Sequence, residues 1–402
     1  MSVCVVGLGY IGLPTSLMLA ANAVPVVGVD VNPAIIASLR NKEVPFEEKG
    51  LQELFDKAVD KGITFVTDLP ESDFYIIAVP TPYDQETKKI DAGYVVKAAQ
   101  QVLAVCKPGA VLVVESTVAP GTMDKYVRPL LADNPKGVYL AHAPERIIPG
   151  NMVHELEYNS RTVGADDPAV AQRVCDVYAS FCKGKLVTTD IRTAEMTKVV
   201  ENTFRDINIA FANELAQIAR QADMDVHEII RIANMHPRVD ILSPGPGVGG
   251  HCISVDPWFL VGDFPETANL IHQARKVNDS MPDYVLSRID QVMAAAGITD
   301  PARVGLFGLT YKEDVDDTRE SPTLQLLERD HPVAKNAVFF DPWVKKPISD
   351  RQIADFDAFL AQTDMVVILV GHTFIRERFA ALAGKTILDT RRVFNEPSVH
   401  TL

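Results

Sequence analysis

Short apolar runs alternate with helix-length segments through the first half of the chain, at residues 3–6, 24–29, 64–66, 74–79, 111–115 and 138–141. Runs of this length, rich in Val and Ile, read as buried parallel strands, and the alternation predicts a doubly wound α/β domain over residues 1–185. From Arg192 to about Ala222 no Gly or Pro interrupts a stretch rich in Ala, Glu, Asn and Ile. At 1.5 Å per residue this predicts one helix of roughly 45 Å, long enough to span domains or to lie between subunits. It opens a central helical region, 186–294, which the Gly- and Pro-rich loop 243–250 interrupts. The strand-and-helix alternation then resumes at 303–307, 337–340, 365–370 and 385–388, predicting a second, smaller α/β domain over 295–402.

The chain has 402 residues, 47% hydrophobic and 23% charged, with a formal charge of −14. That is the composition of an ordinary globular protein. The acidic balance argues against a nucleic-acid or membrane-surface partner, so an anionic ligand has to be met by local Arg and Lys. The five cysteines, at 4, 106, 175, 182 and 252, form no C-x-x-C pair and no cluster at metal-ligand spacing, so no metal is expected. A scattered, odd set fits free thiols in a reducing cytoplasm. The strand at residue 3 leaves no room for a signal peptide, and no apolar run reaches 18 residues, which predicts a soluble cytoplasmic protein.

The first predicted strand runs into Gly7-Leu8-Gly9-Tyr10-Ile11-Gly12 and then an apolar helical stretch. Three glycines at this spacing permit a tight turn, close approach of backbone to a pyrophosphate, and packing of helix on strand, with the helix N-terminus facing the negative charge. The second strand ends at Asp30, 18 residues past Gly12, where a carboxylate can bond ribose hydroxyls. No Arg or Lys follows in Val31-Asn32-Pro33 to take a 2′-phosphate, so NAD is favoured over NADP. Thr81, Ser116-Thr117 and Glu145 follow later strands and outline a polar crevice beside the dinucleotide.

On the long predicted helix, Lys198, Asn202 and Arg205 share one face. A solvated helix face is the ordinary reason for such a stripe, while a Lys, an amide and an Arg in line also suit an anionic, hydroxyl-rich ligand. Cys252 stands on the loop Gly249-Gly250-His251-Cys252, where a ligand can reach a thiol, and Asp256 lies four residues on. A nearby ammonium such as that of Lys198 can lower the thiol pKa, and His251 is assigned a positional role. Two further strands are followed by Tyr311-Lys312 with Arg319, and by Arg391-Arg392.

Together these segments resemble the nucleotide-sugar 6-dehydrogenase family, over nearly the whole chain. Within it, Thr193 to Met196, Phe204-Arg205-Asp206, Asn234 to Arg238 and His251 to Phe259 are most similar to the branch acting on UDP-N-acetyl-D-mannosamine. The resemblance implies a Rossmann-type NAD-binding domain, a central dimerisation region and a Rossmann-like UDP-binding domain. It implies a four-electron oxidation at C6, through an aldehyde, a Cys252 thiohemiacetal and a thioester that water cleaves. Lys198 and Asn202 then stabilise the oxyanion, and Thr117, Glu145 and Asp256 are the candidates to orient water. By position, Gly7, Gly9, Tyr10, Ile11, Gly12, Asp30, Thr81, Thr117 and Arg319 bind NAD. Arg146, Ile147, Lys198, Asn202, Arg205, Gly247, Tyr311, Lys312 and Arg391 hold the UDP-sugar, with His236 and Arg238 reaching in from the other subunit of a homodimer.

Val255 stands where UDP-glucose dehydrogenases commonly carry Lys, which argues against glucose, and Arg391 and Arg392 replace the Lys and Gly of many relatives. UDP-N-acetylglucosamine and UDP-N-acetylgalactosamine are the alternative substrates. A hydroxyacid dehydrogenase of similar architecture needs no cysteine, and a silent nucleotide-binding module would be expected to lack Cys252 or Lys198. Both are present.

Overall fold

The computed structural model describes all residues except Met1, Asp133, Pro149 and His251, so the role assigned to His251 lies outside the described residues. The chain divides into two compact units, 1–201 and 202–402.

The first unit is built on eight strands: β1 Val3–Val6, β2 Val26–Val29, β3 Thr64–Val66, β4 Phe74–Ile77, β5 Val111–Val114, β6 Tyr139–His142, β7 Arg161–Ala165 and β8 Leu186–Thr189. They lie in the order β3-β2-β1-β4-β5-β6-β7-β8. Each crossover among the first six strands is parallel, so both faces are covered and alternate residues enter two cores. Val3 and Val5 pack into one, Cys4 and Val6 into the other.

The strand reading stops short here. It omitted β7 and β8, and β7 runs antiparallel to β6, with Ala141 opposite Ala165. The reason is local: β7 carries a charge and a glycine, and β8 has exposed positions at its centre, so neither has the apolar run of a buried strand. Gly164 in β7 is required by packing, since a Cβ there would lie 2.7 Å from the Ala194 methyl. The helix bearing Ala194, Ile191–Gln221, is 31 residues long and matches the predicted span to within a residue at each end. Asp190 starts it, accepting the Thr193 amide at 2.9 Å and the Thr193 hydroxyl at 2.6 Å.

The second unit has a parallel sheet of β9 Val304–Phe307, β10 Val338–Phe340, β11 Met365–Ile368, β12 Thr386–Asp389 and β13 His400–Thr401, in the order β10-β9-β11-β12-β13. The last, a two-residue strand, was not predicted. Its first turn repeats that of the other unit. Gly7 follows β1 at φ +93° and Gly308 follows β9 at φ +96°. The next amide donates to a carboxylate at the end of the neighbouring strand in both, Leu8 to Asp30 at 2.9 Å and Leu309 to Asp341 at 2.6 Å. Among the described residues no helix is long and apolar enough to cross a membrane.

Candidate active site

The glycine loop after β1 has the shape a dinucleotide needs. A Cβ on Gly7 would lie 2.4 Å from the Ala78 carbonyl oxygen, and one on Gly12 would lie 1.9 Å from the Gly7 carbonyl oxygen. On Gly9 it would meet nothing within 4 Å, so the surface above that residue is open. The helix that follows, Gly12–Ala21, has no side chain bonded across its N-terminus among the described residues, which leaves the positive end of the helix dipole available to phosphate. Asp30 sits at the end of β2, anchored by the amides of Leu8 and, at 2.8 Å, Asn32. These residues fit NAD. Tyr10, half-buried at the mouth of the loop, stacks on Phe46 with ring centroids 4.2 Å apart.

Beyond the carboxyl ends of β4 and β5, Ser116 is the joint. Its hydroxyl accepts the Val79 amide at 2.9 Å and donates to the Val79 carbonyl at 2.7 Å, binding the segment that carries Thr81 to the one that carries Thr117. The loop after Thr117 is held from the long helix: buried Glu195 accepts the amides of Gly121 at 2.6 Å and Met123 at 2.8 Å. Burial pushes the Glu195 carboxyl up to about 7. Sequence reasoning gave Glu195 no role; its partners lie more than 70 residues away.

Glu145 and Arg146 are more deeply engaged with the protein than a ligand-facing pair. Glu145 is buried, accepts the Arg146 amide at 2.6 Å, and pairs with Arg161. The Arg146 guanidinium bonds Glu201 at 2.9 Å and both the carbonyl and hydroxyl of Ser160 at 3.0 Å. Ile147 beside them is buried in the core.

The stripe on the long helix divides. Lys198 is 7% exposed and Asn202 8%, so neither belongs to a solvated face, whereas Arg205 is exposed. Lys198 thus brings an ammonium into a buried position, where a cation is costly without an anionic partner. In the second unit, the Asn202 amide donates to Asp256 at 2.6 Å. Asp256 is itself buried, and its backbone amide closes back onto the Cys252 carbonyl at 2.8 Å, so the cysteine sits one turn ahead of the helix Asp256–Asp263. Cys252 is exposed while the other four cysteines are buried.

Glycine is needed at the end of the loop that precedes it. A Cβ on Gly249 would lie 2.4 Å from the Glu320 carbonyl oxygen, and on Gly250 2.8 Å from the Tyr311 ring. Gly247, at φ +136°, packs against Pro322, and the Arg391 guanidinium lies where a Cβ on Gly245 would be. Arg391 is partly buried, and desolvation lowers its pKa. The segment bearing Tyr311, Lys312 and Arg319 is therefore the floor of the cysteine loop, with the Gly250 amide bonded to the Arg319 carbonyl at 3.0 Å. Arg319 is held in a two-armed pair by Asp317, at 2.8 and 2.6 Å, a partner not singled out from sequence. His236 and Arg238 occupy an exposed turn next to exposed Met235. Among the described residues no group of acidic, His or Cys side chains is arranged to hold a metal.

A glycine-rich dinucleotide cradle closed by a strand-end carboxylate defines an NAD-dependent dehydrogenase. Residues 1–182 match the NAD-binding domain of the UDP-glucose/GDP-mannose dehydrogenase family, 192–280 its central domain and 305–396 its UDP-binding domain. The chain belongs to that family. It is 41% identical to a UDP-N-acetyl-D-mannosamine dehydrogenase of Methanococcus aeolicus, covering 98% of this chain and 91% of that one. It is 39% identical to an NDP-N-acetyl-D-galactosaminuronic acid dehydrogenase of Ralstonia nicotianae, covering 98% and 96%. The structure of a UDP-D-ManNAc dehydrogenase from Pyrococcus horikoshii superposes with a TM-score of 0.91 at 34% identity, over 100% of this chain and 99% of that one.

Proposed function

We propose that the protein oxidises UDP-N-acetyl-D-mannosamine at C6 to UDP-N-acetyl-D-mannosaminuronate, in the cytoplasm, for surface-polysaccharide synthesis. The observation that carries the chemistry is Cys252, exposed where the other four cysteines are buried, on a loop whose glycines pack closely on the segment bearing Tyr311 and Glu320. Full-length identity of about 40% to mannosamine enzymes supports the sugar. NAD, when bound, is the hydride acceptor for both oxidations.

The Cys252 thiolate adds to the C6 aldehyde, and the resulting oxyanion is met by the Lys198 ammonium and by the Asn202 amide, which Asp256 holds in place. After the second oxidation, Thr117, Glu145 and Asp256 orient the water that cleaves the thioester. Arg205, Tyr311, Lys312 and Arg391 bind the nucleotide sugar; Arg146 supports that surface from its pairing with Glu201.

The active protein is a homodimer built on the long helix. Phe204, Phe211 and Ile218 recur at seven-residue spacing and are 66%, 51% and 50% exposed, an apolar row that an isolated chain would leave in water. His236 and Arg238 complete the partner's site.

NADH released per sugar consumed tests the reading, with UDP-N-acetylmannosamine, UDP-N-acetylglucosamine, UDP-N-acetylgalactosamine and UDP-glucose supplied separately. Two NADH from the mannosamine sugar alone is the expected result; two from another sugar would move the specificity, and one would remove the thioester step. Cys252→Ser is expected to release a first NADH and form no uronate.

A further inference from the structure

Arg161 on β7 is buried, with its one guanidinium shared between two carboxylates. Nη1 donates to Glu115 Oε1 at 3.1 Å and Nη2 to Glu145 Oε2. The guanidinium lies over the Tyr178 ring, 4.4 Å from its centroid, and 5.3 Å from that of Phe181. The Tyr178 hydroxyl donates to the same Glu115 oxygen at 3.0 Å, while the other Glu115 oxygen has no partner among the described residues. Two buried acids therefore share one buried cation.

Stability does not account for this cluster, because apolar residues of similar volume commonly serve as well as a buried ion network. Its place in the sheet does. Glu115 and Glu145 follow neighbouring strands, β5 and β6, next to Thr117 and Arg146, at the edge where an α/β sheet presents groups to its ligands.

We propose that Arg161 is the positioning residue of Glu145 in thioester hydrolysis, and that Glu115, through the shared guanidinium, sets how tightly Arg161 holds it. The inference rests on the proposal that Glu145 helps to orient the water of that step, and adds that Glu145 takes the water's proton. The water oxygen bonds to the C6 acyl carbon, its proton passes to Glu145, and the C–S bond breaks with its electron pair left on Cys252 Sγ. Arg161 and the Arg146 amide each hold one Glu145 oxygen, which fixes the direction of the remaining lone pairs. Glu115 shares the same guanidinium, so Arg161 is not committed to Glu145 alone. The other titratable groups facing the cluster are Tyr178, from the helix Pro168–Tyr178, and Cys182; burial holds the Tyr178 hydroxyl well above its ordinary pKa, and so protonated. Burial pushes the Glu115 carboxyl up to about 7 against the pull of Arg161.

The test follows acyl-enzyme breakdown as a function of pH in single turnovers of the NAD-loaded dimer with UDP-N-acetylmannosamine, trapping the thioester with hydroxylamine. Release of the first NADH shows that each variant folds and binds. Glu115→Gln removes the negative field, so the acid limb of hydrolysis moves down by roughly one pH unit and the plateau rate falls about tenfold. Arg161→Lys keeps a charge but cannot fork two carboxylates, so the limb moves up and the rate falls. Opposite displacements bear the proposal out. Limbs unmoved, or moved the same way, with only a lower melting temperature, would assign the cluster a structural role and overturn it. Absence of a trappable thioester in the unaltered protein is a different failure, that of the thioester reading itself, and takes this inference with it.

Discussion

At the scale of single residues, the glycine loop makes a prediction that separates fold from binding. Gly12→Ala places a methyl on the Gly7 carbonyl, a backbone atom that cannot move without shifting β1, so stability is expected to fall by roughly 1–3 kcal/mol along with NAD binding. Gly9→Ala puts its methyl into open space, where the dinucleotide lies on this reading. Its melting temperature should match the parent while its Kd for NADH, followed by fluorescence, rises at least about tenfold. Unchanged affinity in Gly9→Ala would mean that the dinucleotide does not pass over Gly9. The glycine turn, its strand-end carboxylate Asp30 and the exposed loop of Cys252 were legible in the sequence because each sits in a local pattern. Arg161 was not: the acids it joins are 46 and 16 residues away, and no spacing along the chain announces that a strand charge faces inward. Burial likewise excludes a solvated face for Lys198 and Asn202, which helical periodicity alone left open.

Elements explain which parts of the fold could be read. Strands buried on both faces betray themselves by unbroken apolar runs, as β1, β4 and β5 do. A strand at the margin of the sheet, such as β8, needs no such run, and β7 turns against its neighbour to reach the long helix. The likeness of the two sheets' first turns was equally hidden, since the second keeps Gly308 and Asp341 but lacks the other glycines of the motif. One element has a measurable pH signature. His142 ends β6 in full burial, which lowers its pKa to about 4. A depressed pKa contributes stability that is present above the unfolded value near 6.5 and is lost as pH falls through about 4. The loss should approach about 3 kcal/mol over that window. Glu115 and Glu195, with raised pKa values, act in the opposite sense as pH falls through about 7, so the comparison has to be with a variant. Urea unfolding at pH 7 and pH 4 should show the parent losing about 3 kcal/mol more than His142→Leu. Equal losses would mean that the imidazole already protonates in the folded state.

For the whole molecule, the decisive property is whether one chain makes a complete site. His236 and Arg238 lie on an exposed turn, and the same region carries Phe204, Phe211 and Met235 in solvent. Exposed aromatic and apolar side chains beside His236 and Arg238 are costly to leave bare and sensible if a second copy covers them. On the proposed dimer, Arg238 serves the partner's site and Cys252 its own. Cys252→Ser and Arg238→Ala should then each be nearly inactive alone, yet complement when exchanged. A random equal mixture contains half mixed dimers, and each of these has one site with both native residues and one with neither. Recovered activity should therefore approach about one quarter of the parent's. A third protein, carrying Phe204→Glu and Phe211→Glu, should run as a monomer in sedimentation and lack activity although its Cys252 and NAD loop are intact. If the mixed preparation stays inactive while subunit exchange is confirmed by mass, Arg238 serves its own subunit, and the apolar row on the helix holds the dimer together without sharing its sites.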